Sequence, residues 1–594
     1  MSGSSALSVK EIFNDFKENY GKVRKLLDED SKNDPENEPY VSKYRAKNIL
    51  VGMRDGLKDM LGSGTPLEEI TLRAMLSTVL LNIGIIDMET EELTSSEKVL
   101  SEAVELLVPN ASKPEIIIIL ITVYNNLGIL WSNREEPGKA KTYLLDAKEL
   151  YENFKCTLQL PLPIEQIVSP SGESPIGEIM VLEKAHTLTL YYLAQVYGAL
   201  KENLKSAVYC HVTLRRQLQY NDYEPIDWAL NSATLSQFFA EQNGFLQSRH
   251  HLAAASMILE QYEEKLRCIE GDEVSLANME TFQHRSADVA RCWAKYCILL
   301  MTASRARLMN DSEQLTEDFT DLSNLTLEDN ENICGGDLTK LTFPDLDVSK
   351  FENKIGDKFL LTFEDAKVVF LCCQDWLNKA KEYYKLDTLA SDYIELIQDS
   401  SQSYSYLAFF EEDDERRAKM HKRRVDMLEE LLKEINPVYY LQYCRQLWYE
   451  LGEVYSEILN IKLEKLNKTN ARPTPHSLKK INSLCEKSIE NYENFLNSVK
   501  NKDGNMPAKL TYDMIRPVLS AYACIGRNSM KRISVDKKIQ LRNIQKSFES
   551  YQNVVHFCLV DEEAALVMQE EYQLCLQMVG ILPIRIMKLQ AETE

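Results

Sequence analysis

Hydrophobic positions crowd most densely into KPEIIIILITVYNNLGILW, residues 113–131. Taken alone, the run fits a buried strand, the start of a membrane span or one helix of a larger array. The apolar core of the run, residues 116–123, is well short of the roughly 20 residues a membrane helix needs. The following residues choose between strand and helix. Tyr124, Leu127, Gly128 and Trp131 recur at helical spacing and lead on to Ala140, Leu144 and Ala147. Pro114 suits a first helical turn. The pattern predicts a helix buried between neighbouring helices.

An aromatic residue, then Leu-Gly, a second aromatic and a later small-and-bulky set match the tetratricopeptide signature. In that signature, small residues let two antiparallel helices approach closely. The offsets recur in three further stretches. LLNIGIIDMETEELTSSEKVLSEAV places Gly84, Ser96 and Ala103 with Leu100. LYYLAQVYGALKENLKSAVYCHVTL places Ala194, Ser206 and Thr213 with Cys210, and ATLSQFFAEQNGFLQSRHHLAAA places Ser236, Ser248 and Ala255 with Leu252. Each set keeps the twelve- and seven-residue steps of Gly128, Ala140 and Ala147. The predicted fold is all-α, an α-solenoid of tetratricopeptide-like helix pairs in two lobes.

The pattern also marks the boundaries. Residues 1–36 read as an amino-terminal helical segment, 37–307 as the first lobe and 358–594 as a degenerate helical second lobe. Between them, 308–357 is acidic and Ser/Thr-rich and reads as a linker or insertion. The repeats are spaced more widely than the usual 34 or so residues, so loops have been inserted. The longest in the first lobe, 158–178, carries four prolines; loops of this length are functional or disordered. In the second lobe, LWYELGEVY puts Trp448, Leu451, Gly452 and Tyr455 in the register of Tyr124, Leu127, Gly128 and Trp131. Its partner helix is displaced by NKTNARPTPHS and resumes in LKKINSLCEKSIENYENFL.

Composition narrows the function. A formal net charge of −23 disfavours nucleic acid and anionic membrane surfaces and favours a basic protein partner. Thirteen scattered cysteines without a CxxC pair, together with an amino terminus that lacks a basic-then-apolar signal, give a cytoplasmic, reduced expectation. No phosphate-cradling glycine loop, GxSxG elbow or HExxH frame is present. The expectations are therefore no enzyme, no cofactor, no metal site and no small-molecule substrate. His250-His251 falls inside a packing helix. The basic run ERRAKMHKRRV reads either as a helix face paired with its own acids or as a contact for an acidic patch.

Tetratricopeptide arrays bind along the face lined by the first helix of each repeat. That register nominates Asn125 and Asn126, then Tyr191, Tyr192 and Gln195, then Thr234 and Gln237, as exposed partner-binding positions. An alternative is a co-chaperone-type adaptor for an acidic carboxy-terminal peptide. Such a clamp needs Lys and Arg, where these repeats offer Thr, Tyr and Gln.

The blocks NNLGILWS, LYYLAQVY, YCHVTLRRQL, ATLSQFF, ARCWAKYC, ERRAKMHKRR and ILPIRIMKL, taken in order, resemble the kinesin-family (KIF) binding proteins. The resemblance runs from about Asn37 to the end, and is weak across 158–178 and the acidic linker. It implies a right-handed two-lobed solenoid that grips kinesin motor domains on the side facing the microtubule. An acidic concave groove would then compete with the track for a basic motor surface. It further implies cytoskeletal association and roles in axonal outgrowth, axonal microtubule organisation and mitochondrial or vesicle transport. Carried over position by position, it nominates Tyr192, Gln195, Gln217 and Thr234; Gln217 rests on the resemblance alone.

Overall fold

The computed structural model describes residues 9–63, 67–168, 175–268, 273–311, 341–469, 474–507 and 509–592. Among these residues there are helices and no strand. The chain divides into two compact units: Met1–Phe238 with Asp321–Asp347, and Phe239–Thr320 with Val348–Glu594.

The first unit contains α1 (Val9–Asp28), α2 (Val41–Ser63), α3 (Glu69–Glu89), α4 (Leu93–Leu107), α5 (Ile117–Asn133), α6 (Pro137–Lys155), the short α7 (Ile164–Val168), α8 (Pro175–Ala199), α9 (Asn203–Gln219) and most of α10 (Pro225–Glu241). Consecutive long helices from α1 to α6 pack on one another, α6 packs on α8, and α8 on α9. The isoleucine run is a helix, α5, with Ile117, Ile121, Val123 and Leu127 buried.

Close approach within each pair follows the predicted register. A Cβ on Gly84 would lie 2.6 Å from Leu100, and one on Gly128 would lie 2.6 Å from Leu144. Leu100 and Leu144 are the bulky residues of the repeat, so each fills the space its glycine vacates. In two of the repeats whose second small residue is serine, its hydroxyl crosses the same gap. Ser96 Oγ donates to the Gly84 carbonyl, and Ser206 Oγ to that of Ala194, each at 2.8 Å.

The turns obey the register too. Glu91, Glu135 and Lys201 adopt φ near +60°, each seven residues past the first small residue of its repeat. The next amide in each turn reaches back into the preceding helix: Glu92 N to Asp87 O, Glu136 N to Trp131 O and Glu202 N to Tyr197 O. This paired closure satisfies carbonyls left over at a helix end. Non-glycine residues in that conformation carry a steric cost of about 1 kcal/mol, sustained here because the helix pair on either side fixes the turn.

The amino-terminal segment is part of the core. Ile12, Phe16 and Val23 of α1 are buried together with Ala46 and Leu50 of α2 and Leu80 of α3. Inside the proline-rich loop, α7 buries Ile164 against the same core, and Leu162 N donates to Pro114 O. Residues 169–174 of that loop lie outside the described residues.

The second unit contains α11 (Phe245–Arg267), α12 (Glu273–Asp311), the short α13 (Ser349–Glu352), α14 (Phe363–Tyr383), α15 (Ala390–Phe410), α16 (Asp414–Glu434), α17 (Leu441–Thr469), α18 (Pro475–Val499), α19 (Tyr512–Met530), α20 (Lys537–Val560), the short α21 (Glu562–Val567) and α22 (Gln569–Ala591). Its long helices pack in sequence, with α20 against α22. Gly452 on α17 meets α18 as the sequence implies: its Cβ would lie 2.9 Å from the Tyr492 ring, and Ser488 Oγ donates to its carbonyl at 2.6 Å. A further pair was not read from the sequence. Gly526 on α19 faces Tyr551 on α20 at 2.9 Å, with Ser547 buried one turn before.

Of the acidic segment, residues 312–340 lie outside the described residues. Its later part is packed. Phe343 sits against Trp228 and His211 in the first unit, and Val348, Phe351 and Ile355 are buried in the second. The apolar positions of LTFPDLDVSKFENKI account for this. His251 is buried with Nδ1 2.7 Å from Gln247 O, and His250 Nδ1 lies 2.9 Å from Glu352.

Candidate functional site

Helices α8, α9 and α10 of the first unit enclose a groove of about 290 Å³. Its floor is built from the small residues that bring α8 and α9 together: Ala194, Ser206, Ala207 and Cys210. Burial pushes the Cys210 thiol up to about 11, so it stays protonated and behaves as a small apolar side chain. Tyr191 and Gln195 rise from α8, Gln217 from α9, and Asn231 and Thr234 from α10. Tyr191, Gln195, Asn231 and Thr234 are exposed, and Gln217 is half-buried. None of the residues lining the groove is charged.

The structure therefore gathers Tyr191, Gln195, Gln217 and Thr234 into one site, and sets the other nominated residues apart. Asn125 and Asn126 are a correction, since they were expected exposed and are buried. Asn125 Nδ2 donates to Ala185 O at 3.0 Å and its Oδ1 accepts from Thr189 Oγ1 at 2.8 Å, tying α5 to α8. Asn126 Nδ2 donates back to Thr122 O at 2.8 Å. Helix α8 packs on α5, so the face that an exposed first helix would offer is covered there. Tyr192 is half-buried against the cluster of Leu190, Leu193 and Tyr197, edge-on to Tyr191 at 5.3 Å. Gln237 is half-buried, its amide 3.2 Å from Ser236 Oγ. Neither lines the groove. Where the sequence led to an acidic groove, the lining of this one offers neutral amides, hydroxyls and one exposed aromatic ring.

A buried ionic cluster fixes the base of α8. The Glu183 side chain is wholly buried between Tyr151 Oη at 2.6 Å, Arg216 Nη2 at 2.5 Å and Lys155 Nζ. Burial alone would push its carboxyl up; hydrogen bonds from Lys155, Tyr151 and Arg216 outweigh that and bring it down to about 2. His186 stacks on the Tyr151 ring at 3.6 Å, and burial drives its imidazole down to about 3. A buried carboxylate without its cations is strongly destabilising. The cluster thus locks α6, α8 and α9 in the arrangement that shapes the groove. The sequence signal for it was weak: three polar residues, Glu183, His186 and Arg216, embedded in otherwise packing helices.

Comparison with known proteins gives the family. Residues 226–589 match the family model described as "KIF-1 binding protein C terminal". KIF-binding protein of Drosophila melanogaster is 38% identical, aligned over 98% of this chain and 98% of its own length. The chain belongs to the KIF-binding protein family. The family's protein from Gallus gallus is likewise 38% identical, over 97% of each chain. A solved structure titled "Kinesin binding protein (KBP)" superposes with a TM-score of 0.65 at 30% identity, covering 98% of this chain and all of that one. The all-α, helix-pair solenoid is thus the fold of the KIF-binding protein family. Coverage of 98% leaves too few residues unaligned to omit the first 36, so the alignment reaches into the α1 segment that the block resemblance left out.

Proposed function

We propose that this chain is a binding protein for kinesin motor domains, and that the α8–α9–α10 groove is where it grips them. The family's name supports kinesin binding. The observation that carries the site is the convergence of Tyr191, Gln195, Gln217 and Thr234 on one open groove. Nothing in the packing of α8, α9 and α10 requires polar side chains to point there. An exposed tyrosine ringed by amides and a hydroxyl is the composition of a protein-recognition anchor, since aromatic residues at the centre of a small site carry most of the binding energy.

The mechanism is competitive. A motor surface that binds the microtubule must be basic to meet acidic tubulin. A protein of net charge −23 attracts that surface from a distance, which raises the rate of encounter. The neutral groove then selects among kinesins by shape and hydrogen bonding. Held this way, the motor cannot reach its track, and the nucleotide pocket is untouched. The setting we propose is the cytoplasm, on cytoskeletal motors, in support of axonal outgrowth, axonal microtubule organisation and mitochondrial and vesicle transport. The co-chaperone alternative finds no support at this groove, which has no Lys or Arg to hold a carboxylate.

The test is binding of a panel of purified kinesin motor domains to the intact chain and to a Tyr191→Ala/Gln195→Ala/Gln217→Ala variant. Affinity for at least one motor domain is expected to fall by tenfold or more, about the effect of losing one anchor residue. Undiminished binding by the variant, with its fold confirmed by circular dichroism, overturns the assignment of the site.

A further inference from the structure

A second groove, in the second unit and unrelated to the site above, concentrates positive charge in a strongly acidic protein. Helices α16, α17 and α18 bound a cleft of about 610 Å³ lined by Lys419, Lys422, Lys462, Lys479, Lys480 and Lys487, with Glu415 as its one carboxylate. Some of this charge is answered locally. Lys462 lies 3.1 Å from Glu415, Lys422 lies 2.6 Å from Asp426, and Lys487 lies 3.2 Å from Glu429. Lys419, Lys479 and Lys480 are exposed, and among the described residues no carboxylate lies within ion-pair distance of any of them. Three like charges left unanswered at one cleft repel one another, in a chain whose net charge of −23 has acids to spare. An incoming anionic group relieves that repulsion.

The floor of the cleft is apolar. Ala418 and Ile458 are buried there, and Leu484 is half-buried. We propose that this cleft is a docking site for an acidic peptide segment of a partner protein, carboxylates facing the lysines and an aliphatic side chain resting on the floor.

Three observations favour a peptide over other anions. The cations are separate lysine ammoniums on different helices rather than arginine forks, an arrangement suited to several spaced carboxylates rather than one phosphate held bidentately. Little aromatic surface is offered for bases to stack on: of the two rings in the lining, His476 alone is exposed, while Tyr455 is buried and its hydroxyl is held by Glu429 and Lys487. Single-stranded nucleic acid is bound by stacking platforms along a continuous basic track. Finally, a long polyanion meets the repulsion of the whole acidic chain, whereas a short acidic peptide carries few charges beyond those the lysines answer. The basic run 416–424 thereby divides by face. Arg424 is buried on Glu450 and Glu457 and holds the helices together, while Lys419 and Lys422 face the cleft.

The experiment is fluorescence anisotropy on the full chain with a fluorescein-labelled peptide of glutamates interrupted by leucines. Its glutamine counterpart, a single-stranded oligonucleotide and inorganic phosphate serve as competing probes. The expected result is binding of the glutamate peptide that weakens as salt is raised and falls at least about tenfold in a Lys419→Glu/Lys480→Glu variant. A Lys433→Glu variant, altered on α16 outside the cleft, retains it. Equal binding by the double variant or by the glutamine peptide overturns the proposal. So does tighter binding of the oligonucleotide or of phosphate with the same lysine dependence. Circular dichroism of both variants guards against unfolding, and motor-domain binding at the α8–α9–α10 groove is measured separately, so the two readings fail independently.

Discussion

Single side chains set how this protein answers acid. Burial drives both His186 and His251 down to about 3, whereas an imidazole in the unfolded chain takes its proton near pH 6.5. Between those values the unfolded chain holds the extra proton. Stability contributed by each histidine is therefore complete above about pH 6.5 and declines as pH falls, by about 1.4 kcal/mol per pH unit. Glu183, brought down to about 2 from an ordinary 4.5, acts in the same direction at lower pH: its share is present above about 4.5 and lost as pH falls toward 2. Urea unfolding from neutral to mildly acidic pH is expected to show a falling midpoint, and a His186→Gln/His251→Gln variant a flatter dependence. A midpoint that holds or rises on acidification contradicts the burial of these rings as neutral groups.

At the scale of helices, the contact between glycine and its bulky partner decides which substitutions the pairs tolerate. Ala for Gly within a helix ordinarily gains about 0.5–1 kcal/mol. At Gly128 the added carbon would meet Leu144 Cγ at 2.6 Å, the branch point of the side chain rather than a movable tip. Overpacking of this kind costs about 1–3 kcal/mol, so Gly128→Ala is expected to lower the thermal midpoint. Gly580 on α22 has nothing within 4 Å, and Gly580→Ala is expected to raise it. Thermal melts of the two variants check the opposite signs.

These pairs were also the most legible feature of the sequence, because one helix and the next are local in the chain and their small residues keep fixed offsets. Even the displaced partner of Gly452 could be placed, since α18 carries the serine and the bulky residue in order. Gly526 and Tyr551 escaped because the step from the glycine to the next helix's small residue differs from the twelve residues of the first lobe; Tyr522, Ile525 and Gly526 match Tyr124, Leu127 and Gly128 and would have found it. The site was legible only in part. The register identified which positions on a helix point away from its own partner, but not which neighbouring helix lies across them. Asn125 was lost to α8 for that reason, and the basic cleft was missed because its lysines lie on three helices.

Over the whole molecule, the proposed function divides the labour between charge and groove. The net charge of −23 acts at a distance and is sensitive to salt; the neutral α8–α9–α10 groove acts on contact. Helices α3 and α22 are each long and apolar enough to cross a membrane. The apolar window of α3 is 67% buried in its own unit, against 17% for α22, which leaves Ile581, Ile584 and Met587 exposed. The competitive mechanism makes one demand that none of these parts makes alone: a motor held in the groove must be lost from its track. Microtubule co-sedimentation of a susceptible kinesin motor domain, with increasing amounts of this protein, measures that directly. The account predicts that the motor moves from pellet to supernatant, and that a Gln195→Ala/Thr234→Ala variant leaves it in the pellet. Motor and protein pelleting together undiminished, or release by the variant as complete as by the intact chain, contradicts it.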